Sequence, residues 1–163
     1  MVVERINRFI TATGKLCSWL NLAVVILIFV IVVFRYVFNV GWIWLQEGVT
    51  YMHATVFMLG AAWTLSLDGH VRVDIFYRDM DARRKALVNV IGTLVLLLPL
   101  CLFCLWISFD YVLVSWQLLE ISREAGGMPG VFLFKTLIPL MALLLLLQGL
   151  LLLAKQYRLL SKA

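Results

Sequence analysis

Four long runs of apolar residues, separated by short polar segments, dominate this chain of 163 residues. Each run is long enough to cross the roughly 30 Å of hydrocarbon in a bilayer, which takes about 20 residues in a helix. The uncharged parts of the runs are residues 16–34, 48–67, 86–109 and 136–154. A spanning segment must satisfy its own backbone, and the alternation typical of a membrane strand is absent, so the pattern predicts four transmembrane helices.

The predicted organisation is a single all-α membrane domain over residues 1–163. We place the spans at about residues 16–38, 47–67, 84–113 and 131–154, with a polar loop at residues 68–83. Apolar side chains also recur at helical spacing among the charged residues near the N-terminus. This spacing predicts an amphipathic helix over residues 1–15 that lies on the membrane surface, and a frayed tail is the alternative because so short a helix is marginal in water.

Composition and charge agree with a membrane location and indicate an orientation. Hydrophobic residues make up 64% of the chain, charged residues 14%, and the mean hydropathy is +1.01. Eleven of the 14 Lys and Arg residues lie in the two tails or the middle polar segment, and the others are Arg35, Arg123 and Lys135. The positive-inside rule therefore predicts that both termini and the 68–83 loop face the cytoplasm. This orientation and contact with anionic phospholipids explain the net charge of +5 without a nucleic-acid partner.

Polar residues in the predicted second span follow one helical face. At steps of four and three residues, this stripe holds Gln46, Thr50, His53, Phe57, Gly60 and Thr64. Small and polar residues in such an arrangement favour close packing between transmembrane helices. We expect the stripe to contact either another helix of this chain or a second membrane protein.

The predicted spans contain few groups that could perform chemistry. His53 is the only histidine in a span and His70 lies in the loop, so the chain alone cannot supply two facing haem ligands. Cys101 and Cys104 form a C-x-x-C pattern, but their apolar surroundings would not stabilise a thiolate. We therefore predict no catalytic residue, no cofactor site and no metal site.

The loop begins with DGHVRVD, residues 68–74, which concentrates ionisable side chains between two apolar runs. This segment has three interpretations: a metal or catalytic site, a solvated loop that only fixes orientation, or an element that docks another protein. His70 and Asp74 are four residues apart and would share a helical face, but two ligands are too few for a metal site. The solvated loop and the docking element remain open.

Several short motifs, taken in order, resemble one family. They are RYVFN after the first span, Trp44 and Glu47 at the start of the second, Gly60, Ala61 and Trp63 within it, and HVRVD at residues 70–74. In order, spacing and chain length they resemble the small membrane subunit of tripartite ATP-independent periplasmic (TRAP) transporters. One departure is Gln46, because relatives often have two acids after the tryptophan, and this weakens any role for a paired carboxylate.

The resemblance implies a transporter component of the bacterial inner membrane rather than an enzyme. In that family a large membrane subunit carries sodium and an organic acid by an elevator movement, and a periplasmic substrate-binding protein delivers the acid. The small subunit braces the static scaffold. The residues expected to contact partners are Arg35, Trp44, Glu47, His53, Gly60, Trp63, His70, Arg72 and Asp74.

The alternative function is a membrane anchor for a redox enzyme, which would hold a quinone or share haem ligands with a partner. A haem absorbance band or a bound quinone in the purified protein would favour this anchor. Neighbouring genes for a binding protein and a large permease would favour the transporter.

Overall fold

The computed structural model describes residues 2–70, residue 75 and residues 77–161. In these residues α1 spans Val2–Val37, α2 Ile43–Ser66, α3 Ala82–Gly92, α4 Leu98–Gln117 and α5 Val131–Leu160. A π-helical turn at Thr93–Leu97 joins α3 to α4, so that Ala82–Gln117 is one helical rod. The described part of the chain contains no strand, and the predicted all-α class is confirmed.

Three of the described helices are long and apolar enough to cross a membrane. They are Val3–Val37, Ala82–Gln117 and Val131–Leu160. Helix α2 has 24 residues, a sufficient length, but its polar stripe lowers its apolar character and it is not among the three. The fourth span therefore stays a prediction.

The segment predicted to lie on the membrane surface is continuous with the first predicted span, because α1 runs without interruption from Val2 to Val37. Ile10, only 1% exposed, packs with Ala62 of α2 and Leu144 of α5 in a buried cluster. Part of the apolar face near the N-terminus therefore contacts protein. Periodicity alone cannot distinguish such a face from one that contacts lipid.

Helix α5 is central in the arrangement, since it contacts each of the other four helices in the described structure. Helix α5 packs closely against the π-helical turn at Gly149, where an added Cβ would come 3.0 Å from Leu97 Cδ2. The π-helical turn ends two residues before Pro99, which has no N–H to donate and whose ring crowds the carbonyl one turn earlier. A locally wider turn relieves that conflict without ending the helix.

Candidate functional site

A groove between α1 and α2 brings together several residues that the sequence singles out. Its volume is about 570 Å³. We call it the α1–α2 groove, and it is lined by Gly14, Cys17, Ser18, Asn21, Val56, Phe57, Gly60, Ala61, Trp63, Thr64, Gly69 and His70. Three of the predicted contact residues, Gly60, Trp63 and His70, therefore share one surface.

The two helices approach closely where Trp63 lies against Gly14. A Cβ added at Gly14 would come 2.1 Å from Trp63 Cδ2 and 2.6 Å from Cε3, distances at which atoms overlap. Only glycine leaves room for the indole ring at this position on α1. Trp63 also packs against the buried cluster around Ile10, so its first role is to hold α2 against α1.

Gly60 has the opposite environment. An added Cβ would meet no atom within 4 Å, although Gly60 lies only three residues from Trp63. Farther along the polar stripe, Phe57 is 74% exposed, and Gln46, Thr50 and His53 are exposed as well. Most of the stripe is therefore open to contacts outside this chain.

The hydrogen-bonding groups in the groove are not all satisfied. Ser18 Oγ donates to the Gly14 carbonyl at 3.1 Å, and Thr64 Oγ1 donates to the Gly60 carbonyl at 3.1 Å. Asn21 is exposed, and its side-chain amide makes no hydrogen bond within the described residues. The groove thus combines open space with one unpaired amide, at the start of the apolar stretch of α1 over residues 22–34.

Glu47 has a contact within the chain that its sequence position does not indicate. Its Oε1 accepts a hydrogen bond from Ser122 Oγ at 2.5 Å, and its Oε2 accepts one from the Met128 backbone N–H at 2.6 Å. We call these three residues the Glu47 clamp, since they tie the 118–130 loop to α2. Gly127 allows this approach, because a Cβ there would lie 2.4 Å from Ser122 Oγ and 2.9 Å from Glu47 Oε2.

A second set of contacts holds the same loop to α4 and α5. Glu120 Oε2 accepts from Lys135 Nζ at 2.5 Å and from Ser115 Oγ at 2.7 Å. These two hydrogen bonds lower the pKa of the Glu120 carboxyl below its ordinary value of 4.5, that from Lys135 being the larger cause. The ionised Glu120 carboxylate therefore stabilises the folded loop at pH values above its ordinary pKa of 4.5. This contribution is lost as the pH falls through the lowered pKa.

Glu47→Gln should loosen the 118–130 loop, because an uncharged amide offers only one acceptor where the carboxylate offers two. We expect backbone hydrogen exchange at Met128 to become about tenfold faster. Glu124→Gln is the matched control, since Glu124 is an exposed acid of the same loop and should leave the exchange rate unchanged. Parental exchange rates in Glu47→Gln would show that the clamp does not hold the loop.

The polar loop predicted at residues 68–83 is bounded by two acidic residues that terminate helices. Asp68, with φ 59°, and Gly69 donate their N–H groups to the carbonyls of Leu65 and Thr64, which is a Schellman motif that ends α2. Asp81 Oδ1 accepts from the Arg84 N–H at 2.8 Å and caps α3. Two acids of this region thus have roles in local folding.

The other predicted contact residues lie apart from the α1–α2 groove or outside the described residues. Arg35 lines a separate cavity near the end of α1, and His53 lines an apolar groove with Tyr111 and Lys135. Trp44 is exposed in the first turn of α2. Arg72 and Asp74 are outside the described residues. Among the residues that are described, no three His, Cys, Asp or Glu side chains form a group that could hold a metal ion.

Comparison with known families identifies the class of protein. The family described as "Tripartite ATP-independent periplasmic transporters, DctQ component" matches residues 24–159. No curated protein matches the chain. The resemblance that the motifs indicate is confirmed by this match, and the redox anchor finds no support in it. Because the match covers most of the sequence, the chain belongs to the DctQ component family of TRAP transporters.

Proposed function

We propose that this chain is the non-catalytic scaffold subunit of a sodium-driven TRAP transporter for organic acids. In this proposal the large membrane subunit carries the acid, a periplasmic substrate-binding protein delivers it, and the present chain braces the static part of the large subunit. The observation that supports the proposal best is the α1–α2 groove, with open space at Gly60 beside the unpaired amide of Asn21.

The groove has the properties expected of a surface that another transmembrane helix covers. An amide that faces hydrocarbon without a hydrogen bond is unfavourable, so Asn21 favours a neighbour with a polar group at the same depth. The small residues Gly60 and Ala61 permit a second helix to come close. A helix of the large subunit with small residues and one hydrogen-bonding side chain would satisfy both requirements.

The rest of the sequence agrees with a supporting role. The charged residues of the predicted spans lie near the span ends, whereas a path for an organic anion and sodium needs ionisable groups deeper in the membrane. These residues are Arg35, Glu47, Arg84, Lys85, Asp110 and Lys135. We assign transport to the partner for this reason. Arg72 and Asp74, which follow His70 in the sequence, are proposed as further contacts with the large subunit.

The proposed topology has four spans, an N-terminal segment at the inner surface and both termini in the cytoplasm of a bacterial cell. It rests on the excess of Lys and Arg at the tails and the middle segment. A phosphatase that is active only in the periplasm should be inactive when fused after Ala163. Activity of that fusion would contradict this orientation.

Reconstitution into proteoliposomes tests whether this chain can transport an organic acid by itself. Proteoliposomes that contain this chain alone should not accumulate organic acids under a sodium gradient, whereas the chain together with the large subunit and the binding protein should. An ionophore that collapses the gradient is the control for sodium coupling. Uptake by this chain alone would contradict the proposed function.

A further inference from the structure

A groove between α3 and α5 lies near the end of the two helices that carries basic residues. Its volume is about 320 Å³, and it is lined by Val90, Leu94, Leu153, Ala154 and Tyr157. We call it the α3–α5 groove. Leu94 is 50% exposed and Tyr157 is 71% exposed, so the groove is open to whatever surrounds the chain.

The position of the groove along the helices places it just inside a membrane surface. Helices α3 and α5 both belong to segments that are long and apolar enough to cross a membrane. On α3 the last charged residue before the apolar run is Lys85, and on α5 the first charged residue after it is Lys155. Val90 and Leu153 lie about one turn to the apolar side of these lysines, and Leu94 lies one turn deeper.

The groove has the polarity of a site for a lipid chain. Empty space between apolar side chains loses dispersion contacts, and in a bilayer hydrocarbon can fill it. Among the described residues that line the groove, the polar group is the hydroxyl of Tyr157, one turn closer to the membrane surface than Leu153. Tyrosine at this level keeps its ring in hydrocarbon and its hydroxyl among the headgroups.

Charge at the mouth of the groove indicates an anionic headgroup. Arg83 lies seven residues before Val90, about two helical turns nearer the surface and on the same face of α3. Arg83 is exposed and makes no ion pair with another described residue. The same end carries two acids, Asp79 and Asp81, and four further basic residues: Arg84, Lys85, Lys155 and Arg158. This excess of positive charge attracts anionic lipid headgroups.

We propose that the α3–α5 groove binds an acyl chain of an anionic phospholipid whose phosphate is bound by Arg83. The phosphate lies at the membrane surface, the glycerol esters lie beside the Tyr157 hydroxyl, and the chain continues past Val90 and Leu94 toward the bilayer centre. This order along the helices is the covalent order of a phospholipid. The site does not depend on the large subunit, and in the proposed topology it faces the cytoplasmic leaflet.

The test uses the full chain in detergent, with bound lipid counted by native mass spectrometry. Dioleoylphosphatidylglycerol should be retained and should raise the thermal unfolding midpoint. Dioleoylphosphatidylcholine, which has no net charge, should bind about tenfold more weakly. Dihexanoylphosphatidylglycerol, whose short chains bury less apolar surface, should also bind at least about tenfold more weakly. Equal binding of either lipid, or equal stabilisation by inorganic phosphate, would overturn the proposal.

Two pairs of variants locate the site. Val90→Phe fills the groove and should lower retention of phosphatidylglycerol about tenfold, whereas Val88→Phe, on the same helix but outside the groove, should not. Arg83→Gln should weaken binding about tenfold, whereas Arg84→Gln should change it little, because exposed Arg84 points about a quarter turn away from the groove face. Parental binding in Val90→Phe or in Arg83→Gln would overturn the site.

A helix of another protein is the competing occupant of the groove. A benzophenone amino acid at position 94, irradiated in membranes of cells that express the whole transporter, should form adducts with lipid. The groove lines this position, so a protein there would be captured as well. An adduct of position 94 with the large subunit, in place of lipid, would overturn the proposal.

Discussion

Gly60→Leu should leave the isolated chain as stable as the parent and should weaken its copurification with the large subunit. An added Cβ at Gly60 meets no side chain within 4 Å, so the leucine side chain starts in the open space of the α1–α2 groove, whose volume is about 570 Å³. A partner helix in that groove would lose its close approach. Overpacking of this kind costs about 1–3 kcal/mol, which weakens binding by a factor of about 5 to 150.

Gly92→Leu is the matched control for this experiment. Gly92 is also a helical glycine with no atom within 4 Å of an added Cβ, but it lies on α3 and does not line the groove. Thermal unfolding of each variant alone and affinity purification of each with the tagged large subunit give the two readouts. Normal copurification of Gly60→Leu would contradict the placement of the partner, and a lowered unfolding midpoint would contradict the open space at Gly60.

Gly14→Ala, unlike Gly60→Leu, should lower the stability of the isolated chain. The new methyl group would lie 2.1–2.6 Å from Trp63 ring atoms, so either the indole or the backbone of α1 must move. Such a shift would disturb the packing of Trp63 on the buried cluster that contains Ile10 and Ala62. We expect a loss of about 1–3 kcal/mol in the free energy of unfolding.

The control for Gly14→Ala is Gly60→Ala, which adds the same methyl group on the other side of the groove. Chemical or thermal unfolding in one detergent compares the two variants directly. Gly60→Ala should match or slightly exceed the parent, because alanine favours a helix more than glycine does. Equal stability of the two variants would show that Trp63 does not pack on Gly14.

The sequence predicts the helical class well because long apolar runs leave few alternatives in a bilayer. Runs at residues 16–34, 86–109 and 136–154 lie within the three helices that are long and apolar enough to cross a membrane. The sequence predicts helix boundaries less well. Helix α2 begins at Ile43, four residues before the predicted span. Trp44 and Gln46 are found both inside helices and just before them, so they do not mark where the helix begins. Likewise, the continuity of α1 could not be deduced from the charges around Lys15.

The candidate site is only partly readable from sequence. The spacing along α2 indicates a polar face, and Gly60 and Trp63 line the same groove, but Gly14 on α1 has no motif to mark it as their neighbour. Glu47 shows the limit more clearly, because its partners Ser122 and Met128 are 75 and 81 residues away. Contacts of that range depend on how helices pack, which local periodicity does not specify. The glycines at residues 126 and 127 predict a turn, but they do not reveal the Glu47 clamp.

The central claim is that the large membrane subunit covers the α1–α2 groove, and site-specific photocrosslinking tests it directly. Phe57 and Trp106 form a matched pair, since both are aromatic and are 74% and 79% exposed, but only Phe57 lines the groove. A benzophenone amino acid at each position would be irradiated in membranes that contain the whole transporter. We expect an adduct with the large subunit from position 57 and none from position 106. An adduct from position 106 and none from position 57 would contradict the assignment of the groove as the partner-binding surface.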